Sequence, residues 1–171
     1  YAFSGVAGYV APIHLEAIKK TGSMLVAAYD PNDSVGILDK YFPETKFFTE
    51  FERFDRHIYK LLNSQSDEKI DYLSICSPNY LHDSHIRFGL RSEVNVICEK
   101  PLVLNPWNID GILELEKKSG VKVNTILQLR LHPSIKDLKE KIENNYSKKY
   151  NEIELTYITP RGNWYLQSWK G

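Results

Sequence analysis

Three consecutive residues, Glu99-Lys100-Pro101, close the apolar run Val94-Asn95-Val96-Ile97-Cys98. They put an ionisable lysine at the end of a buried strand. The carboxyl ends of parallel strands are where open α/β sheets bind ligands, so an amine there is placed to exchange a proton with a ligand. Read alone, the tripeptide is equally a solvated loop after a strand.

A second group of residues lies near the beginning of the chain. Gly5 and Gly8 fall in the turn Phe3-Ser4-Gly5-Val6-Ala7-Gly8-Tyr9-Val10-Ala11, which runs from an apolar strand into a helical segment starting at Pro12. This is the context a dinucleotide needs, because small residues let the backbone approach a pyrophosphate and the first helical amides point at it. The spacing is irregular. The usual glycine pattern would fall on Val6, Gly8 and Ala11, and the first glycine comes one residue early, at Gly5. About 20 residues further on an acidic residue is expected at the end of the second strand. Asp30 stands there, after Leu25 to Tyr29 and before Pro31 and Asn32. A carboxylate there accepts hydrogen bonds from ribose hydroxyls and repels a 2′-phosphate, which favours NAD over NADP. The competing reading is that Asp30 begins a turn.

These groups need a scaffold that brings strand ends together. Strand patterns near 1–6, 24–29, 71–76, 94–98 and 121–127 alternate with helical patterns near 12–20, 34–41, 51–63, 82–92 and 106–118. The alternation predicts an α/β fold, a Rossmann-type doubly wound parallel sheet, over residues 1–125. Phe51, Phe54, Ile58, Leu61 and Leu62 form an apolar helical stripe, read as core. Asn105 and Pro106 open another helix and Gly120 ends it. Residues 126–171 read as the beginning of a second, α+β domain, with a helix from Ser134 to Asn144 and an alternating strand from Glu152 to Ile158.

Composition narrows the class. The chain has 171 residues, with 22 basic and 22 acidic side chains in balance, so no net field points to nucleic acid or an anionic membrane. No apolar run approaches the roughly 20 residues that cross a bilayer and no signal peptide is visible, so a soluble, cytoplasmic protein is expected. Cys76 and Cys98 read as buried thiols. His82 and His85 share a helical face, but no acidic or cysteine partner stands at ligand spacing, and no metal is expected. The first residue is Tyr1 rather than methionine, and the aromatic run before Gly171 has no closing element. A segment of a longer protein is expected.

The glycine turn, Asp30, the run Cys76-Ser77-Pro78-Asn79-Tyr80-Leu81-His82 and Glu99-Lys100-Pro101 together resemble the glucose-fructose oxidoreductase and inositol dehydrogenase superfamily. Leu127 to Pro133 and Thr159 to Tyr165 resemble the start of that family's second domain. Residues Glu99 to Asp110 and Arg161 to Gly171 are similar to bacterial enzymes that oxidise C3 of UDP-N-acetylglucosaminuronic acid for surface polysaccharide. The resemblance implies Lys100 as the catalytic group, oriented by Glu99, and a cis Lys100–Pro101 bond. It implies an NAD site formed by Gly5, Gly8, Tyr9, Val10, Asp30, Asn32, Ser77, Asn79, His82, Glu99, Lys100 and Gln128. Lys100, Arg161, Asn163, Trp164, Tyr165 and Lys170 would meet the nucleotide-sugar substrate. A homo-oligomer, dimer or tetramer, is implied for the complete protein. The family's downstream catalytic histidine has no counterpart, since no histidine follows His132. Another sugar or polyol dehydrogenase of the same family, or a non-catalytic NAD-binding regulator, remains open.

Overall fold

A computed structural model describes residues 1–65, 69–144, 154–158, 160, 162, 163 and 167. The chain divides into two compact units, Tyr1–Gln128 and Leu129–Gly171.

The first unit is built on six parallel strands: β1 (Ala2–Ser4), β2 (Ala27–Tyr29), β3 (Lys46–Phe48), β4 (Tyr72–Ile75), β5 (Asn95–Cys98) and β6 (Val123–Thr125). Their order across the sheet is β3-β2-β1-β4-β5-β6. Successive strands therefore move one way from β1 and the other way from β4. The crevice at their adjoining carboxyl ends is the position at which such sheets hold ligands.

Five helices connect the strands: α1 (Ala11–Lys20), α2 (Ile37–Tyr41), α3 (Phe51–Leu62), α4 (His82–Arg91) and α5 (Asn108–Ser119). Side chains alternate between the two faces of each strand, and the core divides accordingly. Ala2, Ala27, Leu73, Ile75, Val96 and Cys98 pack with Phe54, Ile58, Ile86 and Ile112 of α3, α4 and α5. Phe3 and Ala28 pack on the opposite face with Ala11, Leu15, Ile18 and Leu38 of α1 and α2. Strand β4 shows why the alternation matters. Leu73 and Ile75 enter the first cluster, while Ser74 between them turns its hydroxyl to His14 of α1.

The doubly wound parallel sheet agrees with the pattern read from the sequence; its details differ in three places. Strand β3 went unread: it is three residues long and lies at the sheet edge, too short for a legible alternation. Helix α5 begins at Asn108 rather than Pro106, because Asn105 spends its side-chain oxygen on Trp107 N–H, 3.1 Å away, in a turn ahead of the helix. Gly120 does terminate it, at φ +77°. In the second unit a helix, α6, covers Pro133–Asn144. The alternating strand expected over 152–158 is corrected in part: residues 154–158 are exposed and unpaired in any sheet, since alternation yields a strand only beside a partner. Glu152 and Ile153 lie outside the described residues.

Phe54 is fully buried between β-sheet and helices and meets Tyr29, Phe48, Phe51 and Phe88. Phe54→Ala is expected to lower the unfolding free energy by about 3–5 kcal/mol, read from urea denaturation; a loss below about 1 kcal/mol would place the folding core elsewhere.

Candidate functional site

The glycine turn leaves β1 under tight constraint. Gly5 adopts φ +84° and donates its N–H to the Tyr29 carbonyl at 2.8 Å. A Cβ on Gly5 would stand 2.3 Å from Ser77 N, so the backbones after β1 and β4 pass with no room for a side chain. At Gly8 a Cβ would lie 3.0 Å from the Gly5 carbonyl oxygen and 3.1 Å from that of Cys76. The turn delivers the chain to α1, whose first residues carry no side-chain cap at Val10. Ala11 N–H bonds the Gly8 carbonyl and Ile13 N–H the Val10 carbonyl, both at 3.1 Å, and Pro12 has no N–H, so this helix end offers a phosphate its positive dipole rather than a row of free amides. Tyr9 beside them is strongly exposed.

Asp30 closes the turn from β2. One carboxylate oxygen accepts the Ala7 N–H at 3.0 Å and the other accepts the Asn32 N–H at 2.9 Å. Asn32 in turn accepts the Ser34 N–H at 3.0 Å. The buried Asp30 thus begins a turn, as one of its two sequence readings has it, and also holds the glycine loop. Small residues at Gly5 and Gly8, an uncapped helix start and a carboxylate at the end of β2 are the features that fit a dinucleotide with free ribose hydroxyls.

On the other side of the crevice, β5 ends in Glu99-Lys100-Pro101. The Lys100–Pro101 peptide is cis, and the Lys100 side chain is exposed. Glu99 is buried beneath it. Its N–H bonds the Ile75 carbonyl at 3.0 Å, and its carboxylate accepts the Lys100 N–H at 3.3 Å. His14 of α1 completes the arrangement, with Nε2 3.0 Å from Glu99 Oε1 and Nδ1 2.9 Å from Ser74 Oγ. With its hydrogen on Nε2, the ring donates to the carboxylate and accepts from the serine hydroxyl. Burial pushes the Glu99 carboxyl upward, but the hydrogen bond from His14 and the charge that ring carries when protonated, with the Lys100 N–H and ammonium, outweigh it and hold Glu99 below its usual range. His14, Ser74, Ile97, Glu99, Ile126 and Gln128 line a cavity of about 280 Å³.

Asn79 starts a short 3-10 turn (Asn79–Leu81) after the buried Ser77. Behind them, His85 Nδ1 lies 2.9 Å from Ser4 Oγ and 3.0 Å from Ser77 Oγ, tying the ends of β1 and β4 together. The His85 ring stacks on Phe51 at 4.8 Å. His82 requires a correction. Sequence reasoning put it beside the cofactor, yet it is 1 % exposed, and both nitrogens face backbone carbonyls, of Pro101 and Ser77. At the head of α4 the ring is held between the loops that follow β4 and β5.

The structure gathers Gly5, Gly8, Asp30, Ser77, Asn79, Glu99 and Lys100 around the carboxyl edge of β1, β2, β4 and β5. The sequence does not by itself reveal the bond between His14 and Glu99. The available signal was its place beside Ala11, Leu15 and Ile18 on the buried stripe of α1. Asn163 is exposed in the second unit, and Arg161, Trp164, Tyr165 and Lys170 lie outside the described residues. No group of three metal-ligating side chains occurs among the described residues, and no described helix is long and apolar enough to cross a membrane.

The fold and the loops at its switch point define a dinucleotide-binding Rossmann unit. Residues 1–126 match the GFO_IDH_MocA oxidoreductase family, NAD-binding Rossmann fold. The chain belongs to that family, and NAD is the cofactor of its fold. The WlbA (WbpB) dehydrogenase from Thermus thermophilus, solved with NAD and UDP-GlcNAcA, is 49% identical with a TM-score of 0.90, over 99% of this chain and 54% of its own. Myo-inositol 2-dehydrogenase of Thermotoga maritima is 31% identical over 94 residues, 55% of this chain and 28% of the relative. D-glucoside 3-dehydrogenase of Escherichia coli is 29% identical over 76 residues, 44% of this chain and 22% of that protein. The chain thus spans about half of the dehydrogenase structure it matches and less of these curated relatives.

Burial first, and then the charge of His82, push the His85 imidazole down from 6.5 to about 4. The unfolded chain therefore takes up the proton first as pH falls. His85 contributes stability that is complete above pH 6.5 and lost as the pH approaches 4. The unfolding free energy should fall by about 3 kcal/mol more across that range in the wild type than in His85→Gln. Equal pH slopes in urea denaturation would remove His85 as the source.

Proposed function

We propose that this chain carries the cofactor half of an NAD-dependent dehydrogenase that oxidises the C3 hydroxyl of a UDP-linked N-acetylglucosaminuronic acid. The observation that carries the reading is the 49% identity, extending over 99% of the chain, to a dehydrogenase solved with NAD and UDP-GlcNAcA. Lys100 at the end of β5 supplies the chemistry expected of such a site.

Held by the loops after β1, β2 and β4, NAD would supply the acceptor for the hydride that leaves C3. The alcohol must also lose its hydroxyl proton, and Lys100 is the group that takes part in that exchange. Its exposed side chain leaves the amine free to reach the hydroxyl, while the buried Glu99 fixes the adjoining backbone. Gly5, Gly8 and the first turn of α1 would hold the pyrophosphate. Asp30 would accept from the adenosine ribose, with Asn32 beside it and Tyr9 and Val10 at the helix entrance. Ser77 and Asn79 would border the nicotinamide side, with Gln128 at its far wall. Asn163, with Arg161, Trp164, Tyr165 and Lys170, would meet the sugar nucleotide. The complete protein would act in the cytoplasm as a homo-oligomer, supplying a sugar for surface polysaccharide such as lipopolysaccharide.

A second reading, another sugar or polyol dehydrogenase, is favoured by the 31% identity to myo-inositol 2-dehydrogenase. NADH absorbance of the complete protein separates the two. UDP-N-acetylglucosaminuronic acid should support turnover where myo-inositol does not, and Lys100→Ala should lower kcat by about 10²–10⁴-fold with NAD still bound. Turnover on the polyol alone would overturn the substrate; full activity of Lys100→Ala would overturn the role of Lys100.

A second check concerns the cofactor. Asp30→Ala removes the acceptor of both backbone N–H groups and the charge that disfavours a 2′-phosphate. The ratio of NAD to NADP affinity should fall by about tenfold or more in titration calorimetry. An unchanged ratio would mean that Asp30 does not face the ribose.

A further inference from the structure

His82 has no surface to offer a ligand, yet it sits between the two loops that carry the site. Its Nδ1 is 2.6 Å from the Pro101 carbonyl oxygen and its Nε2 2.9 Å from that of Ser77. Both partners are acceptors, so the ring meets each of them as a donor, and a ring with one hydrogen serves one carbonyl at a time. Ser77 opens the loop after β4. Pro101 directly follows Lys100 in the loop after β5, and these two strands are paired neighbours.

We propose that His82 is a positioning residue: through the Pro101 carbonyl it sets where the backbone of Lys100 stands relative to the Ser77–Asn79 loop. This rests on the reading of Lys100 as the proton-exchanging group. A lysine side chain has four rotatable bonds, so the reach of an exposed ammonium depends on how firmly its own main chain is held. The Lys100 segment has three described anchors. Glu99 N–H bonds Ile75 in the sheet, Lys100 N–H bonds the Glu99 carboxylate, and the Pro101 carbonyl accepts from His82. The third is supplied by α4, the helix that also follows the Ser77–Asn79 loop. A single buried ring thus gives the amine and the cofactor-side loop a common reference. Displacing a reacting group by about 1 Å costs about 10²-fold in rate, which is the scale on which such an anchor acts.

The side chains of asparagine and glutamine separate this role from simple core filling. Asparagine places an amide N–H near the Nδ1 position, facing Pro101; glutamine reaches the Nε2 position, facing Ser77. In the complete protein with UDP-N-acetylglucosaminuronic acid, His82→Gln should lower kcat about 10–100-fold while the dissociation constant for NAD stays within about threefold. His82→Asn should keep kcat within about threefold of wild type by the same scale. Equal kcat losses in both variants, no loss in either, or a loss carried by NAD affinity alone would overturn the proposal. If the glutamine variant does not fold, long-range ¹H–¹⁵N spectra of the wild-type histidines decide. A hydrogen on His82 Nδ1 is expected, and a bare Nδ1 would overturn the proposal. Lys100→Ala in the same assay keeps the two failures apart. Full activity there removes the lysine reading, whereas inactivity of Lys100→Ala beside full activity of His82→Gln removes only the role of His82.

Discussion

The backbones after β1 and β4 meet at Gly5 and Ser77 with no space between them, since even a methyl group on Gly5 would press to 2.3 Å of the Ser77 nitrogen. Much of the site follows from that approach. It forces a glycine at φ +84°, and that conformation turns the chain back over the sheet toward α1. It also brings the glycine turn and the Ser77–Asn79 loop side by side, at the place where strand order reverses. A dinucleotide lying across the carboxyl edge would find both loops already in register.

Behind these loops the fold uses histidine where apolar packing would leave backbone and hydroxyl groups without partners. His85 joins Ser4 to Ser77, His14 joins Ser74 to Glu99, and His82 joins the carbonyls of Ser77 and Pro101. Each connects neighbouring strand ends that the ladder alone would leave to diverge. A polar group inside a core is costly unless partnered, and the partners of these rings lie in directions that favour one arrangement of the loops. The aromatic surroundings of His85, with Phe51 stacked on it and Tyr29 at its edge, keep that ring uncharged in the physiological range.

What could be read from the sequence was what is local. Gly5, Asp30 and Glu99-Lys100-Pro101 declare themselves because a turn, a strand end and a proline are properties of adjacent residues. The alternation of strand and helix was legible for the same reason, as were the apolar stripe around Phe54 and the stop at Gly120. The role of His14 was not legible, because its partners Ser74 and Glu99 lie 60 and 85 residues away. His82 was placed beside a ligand by the family resemblance and not by anything in its neighbours; the carbonyl of Pro101 that meets it is 19 residues distant. Strand β3 was hidden by its length and by its place at the edge, where one exposed lysine and two half-buried phenylalanines make no pattern.

The grip of Asp30 on the glycine turn bears on the thermodynamics of cofactor capture. Ordering a free loop costs about 1–2 kcal/mol for each residue fixed. Here the Ala7 and Asn32 amides are already bound to the carboxylate. Carboxylate oxygens accept more than one hydrogen bond each, so ribose hydroxyls can join without displacing the amides. A cofactor held as proposed would meet a turn already tied to Asp30, with that much less deducted from its affinity for shaping the loop.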